Sequence, residues 1–240
     1  MLQKTRGIAL KTTNYSENSI VAQIFTEELG IQSYLINGAR KPKAKIHANM
    51  LQPLHLLDMV VYVKDANTLQ RIKEAHPSPM LQEIPLDIVK STLAIFINEM
   101  LYKVLKNQQT DPYLFQFIYQ SILWLDQTKS PIQNFHLTFL MKLSKYIGYL
   151  PSNTGEDKPY FDLLDGIFTD FAPAHTHVLQ EPHTSIFKNV LNTTYEESHM
   201  LTIKKEDRKY LLEKIIEFYR LHTENFGSIN SLQILQEIFS

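Results

Sequence analysis

The chain has no cysteine, and that one absence removes disulfides, thiol nucleophiles and thiolate zinc ligands together. It also suits a reducing compartment. Glycine is almost as scarce, with 7 in 240 residues, and the nearest two are Gly148 and Gly155. Loops of the G-x-G-x-x-G or G-x-x-x-x-G-K-[ST] type need glycines closer together than this, where backbone N–H groups approach a phosphate. A P-loop ATPase and a Rossmann dehydrogenase are therefore excluded. Long apolar runs are missing too. The longest uncharged stretch, residues 112–125, is too short to cross a bilayer. The opening Met1-Leu2-Gln3-Lys4-Thr5-Arg6 lacks the apolar segment of a signal peptide. These features predict a soluble cytoplasmic protein.

What is present is a globular balance, 44% hydrophobic and 20% charged. The formal net charge is only −1, which gives no global attraction to nucleic acid. The two signs are unevenly spread, however. Residues 1–80 hold 10 Lys and Arg against 6 Asp and Glu, and residues 81–240 hold 14 against 19. Such asymmetry suggests two parts with different partners.

The first part reads as strands at residues 7–13, 19–26, 31–37, 56–63 and 68–74. In the second of these, Ile20, Ala22 and Ile24 alternate with Val21, Gln23 and Phe25. Five short strands in about 75 residues suit a small closed barrel, which removes exposed edges. After Pro77-Ser78-Pro79 the apolar period becomes helical, over residues 87–105, 113–125 and 135–147, with Gly148 placed to terminate the third helix. Residues 152–182 have no clear period and read as an irregular insertion. Helical spacing returns at 186–191, 204–222 and 231–239. The expected class is α+β, a five-stranded barrel over residues 1–80 followed by an all-α domain over residues 81–240.

The most informative local feature is Gly38-Ala39-Arg40-Lys41-Pro42-Lys43-Ala44-Lys45, four cations within six residues directly after a predicted strand. Pro42 keeps this loop from becoming a helix. Such a loop can follow a phosphate backbone, with Phe25 and Tyr34 near in sequence as stacking residues. Arg6, Arg71 and Lys73 add positive charge in the same barrel. The plainer reading is a solvated basic loop without a partner. Nine histidines raise a metal hypothesis, built on His175, His177 and His183 beside Asp162, Asp165 and Asp170, but no established ligand spacing such as H-E-x-x-H occurs. The acids between Glu156 and Asp170 read as a solvated loop rather than a catalytic carboxylate pair. There is no G-x-S-x-G. The aromatic stripes with Trp124, Phe117 and Tyr119 read as core. Nothing argues for an enzyme.

Taken in order, several short motifs resemble the RecO family of bacterial recombination mediators. They are Asn14-Tyr15-Ser16-Glu17-Asn18-Ser19, then Phe25-Thr26-Glu27-Glu28-Leu29-Gly30, then Gly38-Ala39-Arg40-Lys41. Leu51-Gln52-Pro53-Leu54, Asn98-Glu99-Met100-Leu101 and Gly148-Tyr149-Leu150-Pro151 follow. The resemblance implies an N-terminal OB-fold barrel and a helical domain. It implies a non-enzymatic protein without a nucleotide cofactor that binds single- and double-stranded DNA and anneals complementary strands. With RecR, such proteins help RecA replace single-strand-binding protein (SSB), whose acidic C-terminal tail the helical domain holds. A nucleoid-associated location in the cytoplasm follows. Many family members carry two cysteine pairs in a zinc-ribbon-like insertion. This chain has none, so residues 152–182 are expected to hold no metal and to fold by packing around Phe161, Leu163, Leu164, Ile167, Phe168 and Phe171, or to stay partly mobile.

The expected DNA-binding residues are Arg40, Lys41, Lys43 and Lys45, with Arg6, Arg71 and Lys73 in support. For the SSB tail, Phe135 and Phe139 with Lys142 and Lys145 offer an apolar floor and a cationic rim. The alternatives are a protein-binding adaptor whose barrel has no DNA role, and a metal hydrolase built from His175, His177 and the neighbouring acids.

Overall fold

The computed structural model describes residues 1–63, 69–106, 108, 110–152 and 158–239. Thr68, where the predicted fifth strand begins, and Glu156, at the head of the predicted acidic loop, lie outside them. The chain forms two compact units, Met1–Gln127 and Thr128–Ser240. The change of period after residue 80 thus marks a change of secondary structure inside the first unit.

That unit is built on β1 (Leu2–Asn14), β2 (Ile20–Thr26), β3 (Gly30–Ile36), β4 (Leu56–Tyr62) and β5 (Arg71–Pro77), in the antiparallel order β3-β2-β1-β4-β5. The alternation read in β2 holds, since Ile20, Ala22 and Ile24 are buried with Tyr34, Leu57, Met59 and Val61 in one core. Phe25 points the other way, onto Phe115 at 5.6 Å between ring centroids. β1 is therefore covered on both sides, and Ile8, Ala9 and Leu10 are all buried. Its register shifts between Ala9 and Lys11. The carbonyl freed at Leu10 accepts a 2.8 Å bond from Asn98 Nδ2, which explains the asparagine of the Asn98-Glu99-Met100-Leu101 segment.

Two helices complete the unit, α1 (Ile88–Val104) and α2 (Pro112–Gln127). Asp87 caps α1 by accepting from the N–H groups of Val89 and Lys90, and Asp111 serves Tyr113 and Leu114 in the same way. Asp126 accepts from the backbone N–H groups of Gln82, Glu83 and Ile84, fixing the connection into α1.

The sheet departs from the closed barrel expected of five strands. Its edge strands meet at a single parallel bridge between Tyr34 and Gln70. There Leu35 N–H donates to Gln70 O at 3.0 Å, and Gln70 N–H to Ser33 O at 2.9 Å. Beyond Gln70, β5 keeps its ladder with β4 and parts from β3. The OB order is kept, but the seam stays open.

The second unit holds α3 (Phe135–Tyr146), α4 (His183–Asn192), α5 (Lys205–His222) and α6 (Leu232–Ile238). Gly148 does end the third helix, at φ +85°, with Tyr149 N–H donating to Ser144 O at 2.8 Å. The region read as irregular contains a three-stranded sheet, β6 (Tyr160–Asp162), β7 (Ile167–Thr169) and β8 (Val178–Gln180), in the order β7-β6-β8. Strands of three residues are too short to show a period in sequence. Phe161, Leu163 and Phe168 are buried as expected, while Leu164, Ile167 and Phe171 face solvent. The Phe161 ring meets Phe187 at 4.6 Å, Phe168 at 4.8 Å and Phe218 at 6.1 Å, which ties the small sheet to α4 and α5. Phe161→Ala is expected to destabilise the second unit by about 3–5 kcal/mol. Urea unfolding followed by circular dichroism checks it, and the loss should be the same with and without a chelator.

Candidate nucleic-acid interface

The connection after β3 begins at Gly38, whose φ of +70° turns the chain where a side chain would be strained. Lys41 N–H donates to Gly38 O at 3.0 Å and Ala44 N–H to Lys41 O at 3.1 Å, giving two successive turns. Ala39 and Ile46 are buried in the barrel core and pin the loop at both ends. Arg40, Lys41, Lys43 and Lys45 lie between these anchors and are exposed. The loop is therefore held in place while its cations stand in solvent.

Arg71 and Lys73 reach the same place from β5. The register of β4 against β5 shifts between Val60 and Val61, so Lys73 is an extra residue and both Lys73 and Glu74 face outward. The result is an open cleft in the unclosed seam, walled by Leu35 and Ile36 of β3, by Arg71, Ile72 and Lys73 of β5, and by Lys41, Lys43 and Lys45 of the loop. No carboxylate is among the described residues that line it. Glu74 lies 3.5 Å from the Lys73 ammonium, and this exposed pair offsets little of the charge. Five cations gathered on one cleft repel one another, and a polyanion relieves that repulsion.

The other predicted residues are placed differently. Arg40 donates to Asn14 Oδ1 and leans on the β1–β2 connection. Arg6 is turned inward. Its Nε and Nη2 donate to the two Glu27 oxygens at 2.8 and 2.6 Å, Nη2 also reaches Gln116 Oε1 at 2.9 Å, and the guanidinium lies 4.6 Å from the Tyr119 ring centre. A partner 21 residues away gave no local sign of this pairing. Phe25 and Tyr34, read as stacking residues, are 2% and 0% exposed and cannot reach a base.

In the second unit, Phe135 and Phe139 pack into the core with ring centroids 6.1 Å apart, and so form no pocket floor. Lys142 lies 6.0 Å from the Tyr195 ring, and burial lowers its pKa. Lys145 is exposed. A cleft with both sought ingredients lies instead between α5 and α6, where Leu212, Leu235 and Phe239 form an apolar floor and Lys205, Arg208 and Lys209 outnumber Glu206 at the rim. His136 lies beneath, 5.4 Å from the Phe239 ring, and burial holds its pKa down to about 3, so it is neutral there. The cations at 205, 208 and 209, one turn apart on one helix face, were the available sign.

The histidines of the metal hypothesis are dispersed among separate carboxylates. His175 meets Asp162 at 3.2 Å, His177 meets Glu217 at 2.6 Å and His183 meets Asp207 at 3.0 Å. Among the described residues no group of three or more His, Asp or Glu side chains is arranged to hold a metal ion. No described helix is long and apolar enough to cross a membrane.

Comparison with known proteins shows the family. Residues 1–79 match the family described as recombination protein O N terminal, and residues 85–232 match recombination protein O C terminal. The chain belongs to the RecO family. It is 36% identical over 240 residues to the DNA repair protein RecO of Azobacteroides pseudotrichonymphae, and 34% identical over 242 residues to that of Phocaeicola vulgatus. To the Bacteroides fragilis RecO it is 35% identical over 244 residues, and in all three comparisons both chains are covered completely. The matched N-terminal RecO segment contains the whole open-seamed sheet and all seven cations proposed from sequence.

The placement of Arg6 predicts a role in stability. Arg6→Gln is expected to cost about 1.5–3 kcal/mol at pH 7, the range for hydrogen bonds to charged groups. The Arg6 fork holds the Glu27 carboxyl below its ordinary value near 4.5, so the pair contributes fully above that pH and less as pH falls through the lowered value. Urea unfolding at pH 7 and pH 3.5 should show the gap between wild type and variant narrowing at the lower pH.

Proposed function

We propose that this protein is a non-enzymatic recombination mediator in DNA repair, binding single- and double-stranded DNA through the cationic cleft of its open sheet. The observation that carries this reading is the convergence of Lys41, Lys43, Lys45, Arg71 and Lys73 on one seam, from two separate chain segments. The family membership and the naming of its relatives as DNA repair proteins support it. Contacts to phosphates hold a strand without reading its sequence. Two neutralised strands whose base edges remain free can pair, and this is how such a cleft promotes annealing. Cooperation with RecR and RecA is the family's activity and enters the proposal on that ground.

Lys41→Ala, Lys43→Ala and Lys45→Ala combined are expected to weaken binding equally for all sequences. For single strands the loss of three phosphate contacts should reduce the slope of log K against log salt by about 2. Anisotropy titrations of a labelled oligonucleotide at several salt concentrations measure this. An unchanged slope, or a wild-type protein that retains no DNA in a shift assay, favours the adaptor reading.

For the acidic SSB tail, the cleft between α5 and α6 replaces the α3 face as the proposed site, because its apolar floor is open and three cations stand at its rim. Lys205→Ala with Lys209→Ala should weaken a labelled tail peptide about tenfold, roughly 1.4 kcal/mol. Lys142→Ala with Lys145→Ala should leave its dissociation constant unchanged.

A further inference from the structure

With Phe25 and Tyr34 buried, no aromatic ring is among the described residues that line the cationic cleft. We infer that Tyr15 supplies one, and that this ring gives the cleft its preference for unpaired strands. The inference rests on the proposed DNA reading and adds the contact that distinguishes single strand from duplex.

The pairing of Ile20 with Ile36 sets the β1–β2 connection and the start of the basic loop at the same end of the sheet. Contacts join the two directly. Arg40 donates to Asn14 Oδ1, its backbone N–H points to Asn18 O at 3.5 Å, and Ser19 Oγ donates to Asn37 Oδ1 at 3.5 Å. Tyr15 follows Asn14 in that connection. Its N–H donates to Ser19 O at 3.0 Å, and the Ser16 N–H donates to the same oxygen at 3.2 Å, so the turn that carries the ring is formed in advance. The ring itself is 61% exposed. An exposed aromatic residue on a pre-formed turn, next in sequence to the asparagine that Arg40 bonds and at the sheet end where the basic loop starts, offers a base one flat face at little entropic cost. A stacked base keeps its pairing edge free. A base inside a duplex cannot present its face to the ring without leaving the helix, so the contact favours single strands.

Three probes separate stacking from charge: an oligothymidine, an abasic strand of the same length, and a duplex. Tyr15→Ala should weaken oligothymidine binding about tenfold, leave the abasic strand and the duplex unchanged, and keep the salt slope of the wild type, since no phosphate contact is lost. Tyr15→Phe should restore the affinity, because stacking does not use the hydroxyl. Tyr113→Ala is the control for removing an exposed ring. Tyr113 is 80% exposed on α2, close in sequence to Thr110, which abuts Gly30 at the opposite end of β3. An unchanged oligothymidine affinity, or equal weakening on all three probes, overturns the inference. If wild-type protein binds none of the probes, or the triple lysine variant binds them unaltered, it is the underlying DNA reading that fails.

Discussion

The seam between β3 and β5 is the constraint from which the candidate site follows. A five-stranded sheet this small must curl to bury its apolar face, and curling brings its two edges together. Here they join at Tyr34 and Gln70 and then separate. Complete closure would place a backbone ladder where Leu35, Ile36, Arg71, Ile72 and Lys73 now wall a cleft. Two local irregularities maintain the opening. The shift in β5 turns Lys73 outward, and the loop anchored by Ala39 and Ile46 arches beside β3. The gap and its charge thus arise together, because each cation is presented by a device that also limits pairing at the edge.

The same economy appears in the second unit, where the RecO resemblance leads one to expect zinc and the chain offers no thiolate. Three strands of three residues each bury too little to stand alone. They are stable here because Phe161 and Phe168 extend the aromatic core already formed by Phe187 of α4 and Phe218 of α5. The histidine–carboxylate pairs of His177 with Glu217 and His183 with Asp207 then tie the connecting segments to α5 from outside. Apolar packing needs no deprotonated ligands and no metal entry path. Without cysteines, the described strands of the insertion are still held by packing, and their geometry depends on α5.

How much of this was legible follows from the range of each interaction. The strands, the helices and the basic loop depend on residues adjacent or one turn apart, so periodicity and composition found them. Gly148 and the inward face of β2 belong to the same group. The errors concern partners distant in the chain. Arg6 looked like one more surface cation until the fold brought Glu27 beneath its fork. Phe135 and Phe139 looked like the apolar floor of a pocket rimmed by two lysines, because nothing in α3 itself shows that Tyr195 covers Phe135. Phe25 and Tyr34 sit beside the basic loop in sequence and in the strands that precede it, but a half-turn of the pleat directs each into a core. For these two rings, nearness along the chain predicted nearness in space correctly but not side-chain direction.

On the proposed reading, a net charge of −1 is no obstacle to serving a polyanion. Screening confines an exposed charge to about a Debye length, ~8 Å at physiological salt. What a phosphate backbone meets is therefore the local set of cations rather than the total. Five cations within one cleft satisfy that requirement, while 19 of the 25 acids lie in residues 81–240. A protein basic throughout would hold duplex and single strand alike, by charge alone, and would release neither readily. On the proposed reading, one compact cationic seam would bind more weakly and in a salt-dependent way. It would let a strand exchange partners and give weight to any contact that only an unpaired base can make.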